Sequence, residues 1–169
     1  SSLLEMQVKR LRDEQTRLME MLTNFVSTGQ DNANLFLQSK ALTLSLIQAK
    51  DLGAVIAIVE NFFKEVIGAD QCKLELASNT EIQKLEVATS LEMNKNSIHM
   101  GPLSKEKMHL LFGDTNMLSG VICVFTVNHK FGLLKIGSTN QTKYLGDGDT
   151  TFIEYIRDVI ASIIELKDV

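Results

Sequence analysis

The sequence predicts an α+β fold: an antiparallel sheet with helices on one face, preceded by a long N-terminal helix. Three observations carry that expectation. The early part of the chain repeats its apolar positions with a helical period. The middle switches to strict alternation in several short runs, and an amphipathic stretch closes the chain. Helices come first and last with strands between them, not in regular alternation, and that order argues for α+β over a parallel α/β sheet.

The first helix carries a seven-residue beat. Leu4, Val8, Leu11, Gln15, Leu18, Leu22 and Phe25 follow alternating steps of four and three, the a and d positions of a heptad. The intervening "KRLRDEQTR" mixes both charge signs, as a solvated coiled-coil flank does, and this outweighs a DNA-contacting reading. Gln15 is the one polar residue on the seam, a type of substitution that fixes register and partner number at a cost in stability. Gly29 and "STGQDNAN" weaken the pattern locally, leaving either one long helix or two nearly in line. Residues 1–48 are therefore read as a helical segment and 49–169 as the main domain.

Asp51 is a good N-cap for a helix bearing Val55, Ile56, Val59, Phe62 and Phe63, and Gly68 stops it. In "QCKLELAS" Cys72, Leu74 and Leu76 alternate with Lys73 and Glu75, the pattern of a strand with one buried face. Residues 79–97 fit neither period well. "SIHM" reads as a short strand, Ser104 caps the helix "KEKMHLLF", and Gly113 ends it. "SGVICVFTV" and "GLLKIGS", joined by "NHKF", read as a hairpin. Asp147 and Asp149 precede a last helix whose apolar stripe includes Ile153, Ile156, Ile160, Ile163 and Ile164. That stripe is too wide for one contact surface.

Length and composition narrow the function classes. A chain of 169 residues with 44% hydrophobic residues suits one ordinary domain, or a smaller one with an appended helix. A net charge of −4 and a pI near 5.4 exclude a chain-wide basic footprint, so nucleic acid is not an expected partner. Apolar runs such as "AVIAIV" are too short to span a bilayer, and no membrane partner is expected. Cys72 and Cys123 sit in strand-like runs and read as buried free thiols of a reducing cytoplasm.

Catalytic and metal signals are weak. Ser104-x-x-Lys107 matches a serine–lysine pair, but no companion motif accompanies it, and an N-cap serine explains Ser104. "DGDTT" begins like a calcium loop, but Phe152 stands where the turn needs glycine; helix capping explains it better. His99, His109 and His129 lie in separate contexts, without the i, i+4 spacing of paired ligands. No phosphate-loop or dinucleotide fingerprint occurs. No enzyme activity, cofactor or metal is therefore expected.

The stretches "LLEMQVKRLRDEQTRL", "ALTLSLIQAKDLGAVIAIVENFFKEVIGAD", "GPLSKEKMHLLFG" and "GLLKIGS", with the closing amphipathic helix, resemble the bacterial family called domain of unknown function 484. That family looks like a divergent GAF domain behind an N-terminal helix. The resemblance implies a GAF-like sheet, a cytoplasmic bacterial setting, and no assigned activity or ligand. It makes "GPLSKEKMHLLFG" a strand-to-strand connection over the sheet, packed through Leu103, Leu111 and Phe112. Cysteine often precedes the family glycine that matches Gly101; here the residue is Met100, so no thiol role carries over.

Two expectations follow. The heptad seam predicts a homodimer through the N-terminal helix and the last helix. Pairing Val127 with Gly132 across a four-residue loop puts Cys123 and Phe125 on the helix-packed face, and Thr126 and Lys135 on the other. A GAF-like pocket for an unknown small molecule would open on that second face, with Lys73, Glu75, Thr126 and Lys135 as polar lining or rim. The alternative is a scaffold domain with a filled pocket, in which Lys135 pairs with Glu75 for about 0–1 kcal/mol.

Overall fold

A computed structural model describes residues 2–113, 116–141, 143 and 150–167, with backbone alone described at 17–32 and 35. Helix α1 runs unbroken over Ser2–Gln48, which decides between the two helical layouts left open. The chain forms two units, residues 1–40 and 41–169. In the first unit the seam residues Leu4, Val8, Leu11 and Gln15 are exposed. The side chains of Leu18, Leu22 and Phe25 lie outside the described residues. The capping expected of Asp147 and Asp149 also falls outside them.

The second unit holds the core and starts inside α1, whose Leu42 and Leu46 are buried. Helix α2 (Leu52–Asn61) begins where the Asp51 carboxylate accepts from Ala54 N–H at 2.8 Å, as its N-cap position predicts. It continues into a π turn, Phe62–Val66. The wider turn lets two consecutive aromatics face inward. Phe62 and Phe63 are both buried and meet edge to face with centroids 5.3 Å apart. Gly68, at φ +86°, supplies the left-handed residue that ends the segment.

Strands β1 (Gln71–Ala77), β2 (Ile98–Pro102), β3 (Ser119–Val127) and β4 (Lys130–Ser138) form an antiparallel sheet in the order β1-β4-β3-β2. The β3–β4 loop has two residues, not four. Asn128 and His129 adopt φ +47° and +69°, the pair of left-handed residues of a type I′ turn, and Val127 pairs with Lys130. Lys130 and Phe131 are thereby strand residues. The correction shifts the expected register by two, so every side chain keeps its face. β1 is an edge strand, and Glu60 of α2 accepts from its Leu74 N–H at 3.1 Å.

The long helices take one face. There α2 and α5 (Thr151–Lys167) cover Leu74, Val121, Cys123, Phe125, Leu134 and Ile136. Ile156 and Ile160 are fully buried there, and burying each such side chain is worth about 1.5–3 kcal/mol. Phe125 lies across Gly132 of β4, where any Cβ would overlap its ring. Lys167 ends α5 by donating to the carbonyls of Ile47 and Ala49, at the end of α1.

The second face is not bare, as a one-sided layout implies. Residues Asn79–Thr89 form α3, capped by Ser78 Oγ accepting from Glu81 N–H. Helix α4 (Lys105–Phe112) is capped by Ser104 and ended by Gly113 at φ +68°, both as expected. These two helices supply Ile82 and Leu111 to a smaller core with Ile122, Val124 and Leu133, and Leu103 and Phe112 pack against it.

Candidate functional site

The second face is built in rows across the strands. The first row is Gly101, Gly120 and Gly137, one from each of β2, β3 and β4. A Cβ at Gly120 would come within 3.1 Å of the Phe112 ring, and one at Gly137 within 3.0 Å of Phe112 and Met117. Bare backbone is thus the seat on which Phe112 rests. Gly101 has φ +132°, a conformation L side chains rarely adopt, so the backbone there favours glycine. The second row is His99, Ile122, Lys135 and Lys73.

A cavity of about 300 Å³ opens at the β2 end of these rows. Gly101 and Gly120, opposite one another, line it with His99, and so do Ile98 and Met100, whose positions alternate to the first face. Leu91, from the segment between α3 and β2, and Leu103, leading into α4, add apolar wall. The Leu91 segment is held by side chains folded back on it. Glu86 accepts from Met93 N–H at 2.7 Å, and Thr89 Oγ1 accepts from Leu91 N–H. The carbonyl of Glu92 lies 2.6 Å from His99 Nε2. A carbonyl only accepts, so Nε2 carries the proton and a neutral ring keeps Nδ1 as an acceptor.

The four residues singled out in the sequence are only partly together. Lys135 is 7% exposed, and its ammonium lies 2.9 Å from Glu75 Oε1. Lys73 is exposed and stands opposite Lys135 in the register. Thr126 is exposed at the hairpin end, opposite Phe131 and about 13 Å of strand from the Lys135 row. None of the four lines the cavity, which is two strands from Lys135, about 10 Å across the sheet. His99, Gly101 and Gly120 are the residues that sequence reasoning missed. Glycines inside two strand patterns were the available signal, because such glycines mark close approach by other groups.

Cys72 and Cys123 are buried on the first face. Burial pushes both thiols up to about 12, with Glu60 adding to the effect at Cys72. Neither holds a usable thiolate near neutrality. Asp70, just before β1, is held below the usual carboxylate range by hydrogen bonds from Thr139 N–H at 2.7 Å and Thr139 Oγ1 at 3.0 Å.

Fold and cavity together define a class: an α+β domain with a two-faced antiparallel sheet, a glycine-lined cavity at the β2 end, and a long helix leading into it. A comparison with protein-family models matches residues 1–167 to the family described as "Protein of unknown function, DUF484", and the chain belongs to that family. No curated protein matches the chain. No helix among the described residues is long and apolar enough to cross a membrane.

Proposed function

We propose that the chain is a non-catalytic, GAF-like cytoplasmic module that pairs through its helices and holds a small regulatory molecule on the second face of its sheet. The observation that carries the ligand half is the cavity at His99, Gly101 and Gly120, whose size falls at the lower end of small-molecule sites. The buried, protonated thiols oppose a cysteine-based enzyme. Pairing rests on the exposed seam: Val8 is 40% and Leu11 70% exposed, on a helix with a heptad beat. Native mass spectrometry of protein purified from its own host tests both halves. A dimer carrying extra mass is expected, and an unliganded monomer at high micromolar concentration overturns the reading.

The scaffold alternative has its own support. The ion pair Lys135–Glu75 fills part of the second face with the protein's own side chains, and α3 and α4 cover more of it. Ligand-free dimers from the native host would favour that reading.

A further inference from the structure

We propose that the free edge of β2 takes a short extended peptide as an added strand, with one large apolar side chain of that peptide seated in the cavity; this rests on the small-molecule reading above and names the class of its ligand. The register decides which backbone groups of β2 are free. The two-residue turn makes Val127 and Lys130 a hydrogen-bonded pair, so every second residue back along β3, from Phe125 to Ser119, bonds to β4. The alternate residues Ile122 and Gly120 bond to β2, through His99 and Gly101. Val124 keeps the same alternation, donating to the Ser97 carbonyl at 2.9 Å. The N–H and C=O groups of Ile98 and Met100 therefore point away from β3, and no described residue supplies them with a partner.

The two margins of the sheet differ on this point. At β1 the Leu74 amide is filled by Glu60, whereas at β2 two donors and two acceptors stand open at the spacing of a strand. The cavity lies along the open margin, because its lining includes consecutive residues of the outermost strand, Ile98, His99, Met100 and Gly101. An antiparallel peptide can exchange both bonds with Ile98 and both with Met100. Its residue between those pairs stands opposite His99 and sends its side chain to the same side of the sheet, where Leu91 and Leu103 line the cavity. Gly101, next on that side, raises no Cβ against it. A volume of about 300 Å³ suits one large side chain with the backbone that carries it, and no described lining residue is charged, so an apolar group is favoured over an ionised one. β2 is short and ends at Pro102, so pairing stops after these two amides, enough for an anchored peptide and too few to extend a second sheet.

The probe is a blocked peptide, Ser-Val-Phe-Val-Ser, titrated into the full chain beside two controls: the same peptide with both valine nitrogens methylated, and one with alanine in place of phenylalanine. In the free chain the Ile98 and Met100 amides should exchange with solvent faster than those of His99 and Gly101. The parent peptide should shift the Ile98 and Met100 amides saturably and slow their exchange. The methylated peptide, which has lost both pairing donors, should bind at least about tenfold more weakly. The alanine peptide should also bind about tenfold more weakly or worse, as the burial of one aromatic ring dictates. Leu91→Trp, which fills the cavity and leaves the β2 backbone intact, should narrow the gap between the parent and alanine peptides. Equal binding of the parent and methylated peptides overturns the added strand and leaves the cavity as a site. No response of Ile98 and Met100 to any of the peptides overturns the peptide class, and the small-molecule reading falls with it only when protein from the native host carries no extra mass. Ile98 and Met100 amides that are protected in the free chain and lose that protection on dilution mark pairing of β2 with a second copy, which also overturns the proposal.

Discussion

On the first face of the sheet, Cys123, Phe125, Leu134 and Ile136 meet two amphipathic helices through aliphatic and aromatic side chains. On the second face, a few ångströms through the same strands, stand a glycine row, a buried lysine with one carboxylate partner, and a cavity. The strands are common to both, so the difference lies in which residues alternate inward. The first face has exchanged nearly all its surface for dispersion and hydrophobic contact, and it sets the stability of the domain. The second keeps polar groups and empty volume, which add little to stability and supply chemistry that the first face lacks.

That contrast can be broken most directly by truncation. Ile160→Ala, on the first face, should cost about 2–5 kcal/mol in urea unfolding, while Leu103→Ala beside the cavity should cost about 1 kcal/mol or less. Similar costs at the two sites would remove the distinction. Gly132→Ala should cost about 1–3 kcal/mol, because Phe125 has to leave its seat. A temperature melt of that variant showing no loss would mean that the ring moves freely.

The thiols sharpen the comparison through pH. Both sit on the first face with folded values near 12, above the ordinary value of 9.0. Unfolding frees them to ionise, so their contribution is complete below pH 9 and is lost between pH 9 and about 12. Stability should fall in that window by about 1.4 kcal/mol per thiol per pH unit, and the Cys72→Ala/Cys123→Ala variant should lose that slope. An unchanged slope in the variant would show that other groups set the alkaline limit.

Smaller effects are expected on the second face. Glu75→Ala leaves the Lys135 ammonium buried without its carboxylate and should cost about 1–2 kcal/mol, whereas Lys135→Met should change stability by less than about 1 kcal/mol. A larger loss from Lys135→Met than from Glu75→Ala would reverse the argument. The smallest effect belongs to Asp70, which ties the start of β1 to Thr139 after β4 and serves both faces alike. Its folded value is depressed, so its contribution is present above the ordinary carboxylate value and fades as pH falls through the lowered one. Asp70→Asn should flatten the acid limb of the stability profile slightly and leave the alkaline limb unchanged.

Much of this two-sidedness was legible beforehand. Alternation in "QCKLEL", "VICVFTV" and "GLLKIGS" assigned Lys73, Glu75, Cys123 and Lys135 to their faces, and a two-residue register error left those assignments intact. Helix α3 was harder, because its apolar residues Ile82 and Leu85 are few and Val87 faces water. Ser78 followed three residues later by Glu81 was the usable signal for its start. The cavity was not legible. Gly101 and Gly120 are far apart in sequence and become neighbours only through the β2–β3 register. The tautomer of His99 depends on a carbonyl seven residues upstream, which no period announces.

The carboxylate of Glu60 has an influence beyond its own helix. By occupying the Leu74 amide it takes a donor that another strand would otherwise recruit at the β1 border. At the opposite border, β2 is five residues long and finishes in Pro102, which has no amide hydrogen to offer. A sheet with an edge amide filled at one margin and a short strand at the other is a poorer template for lateral accretion. Edge-to-edge pairing of sheets, the step from which fibres grow, finds fewer free donors at such margins.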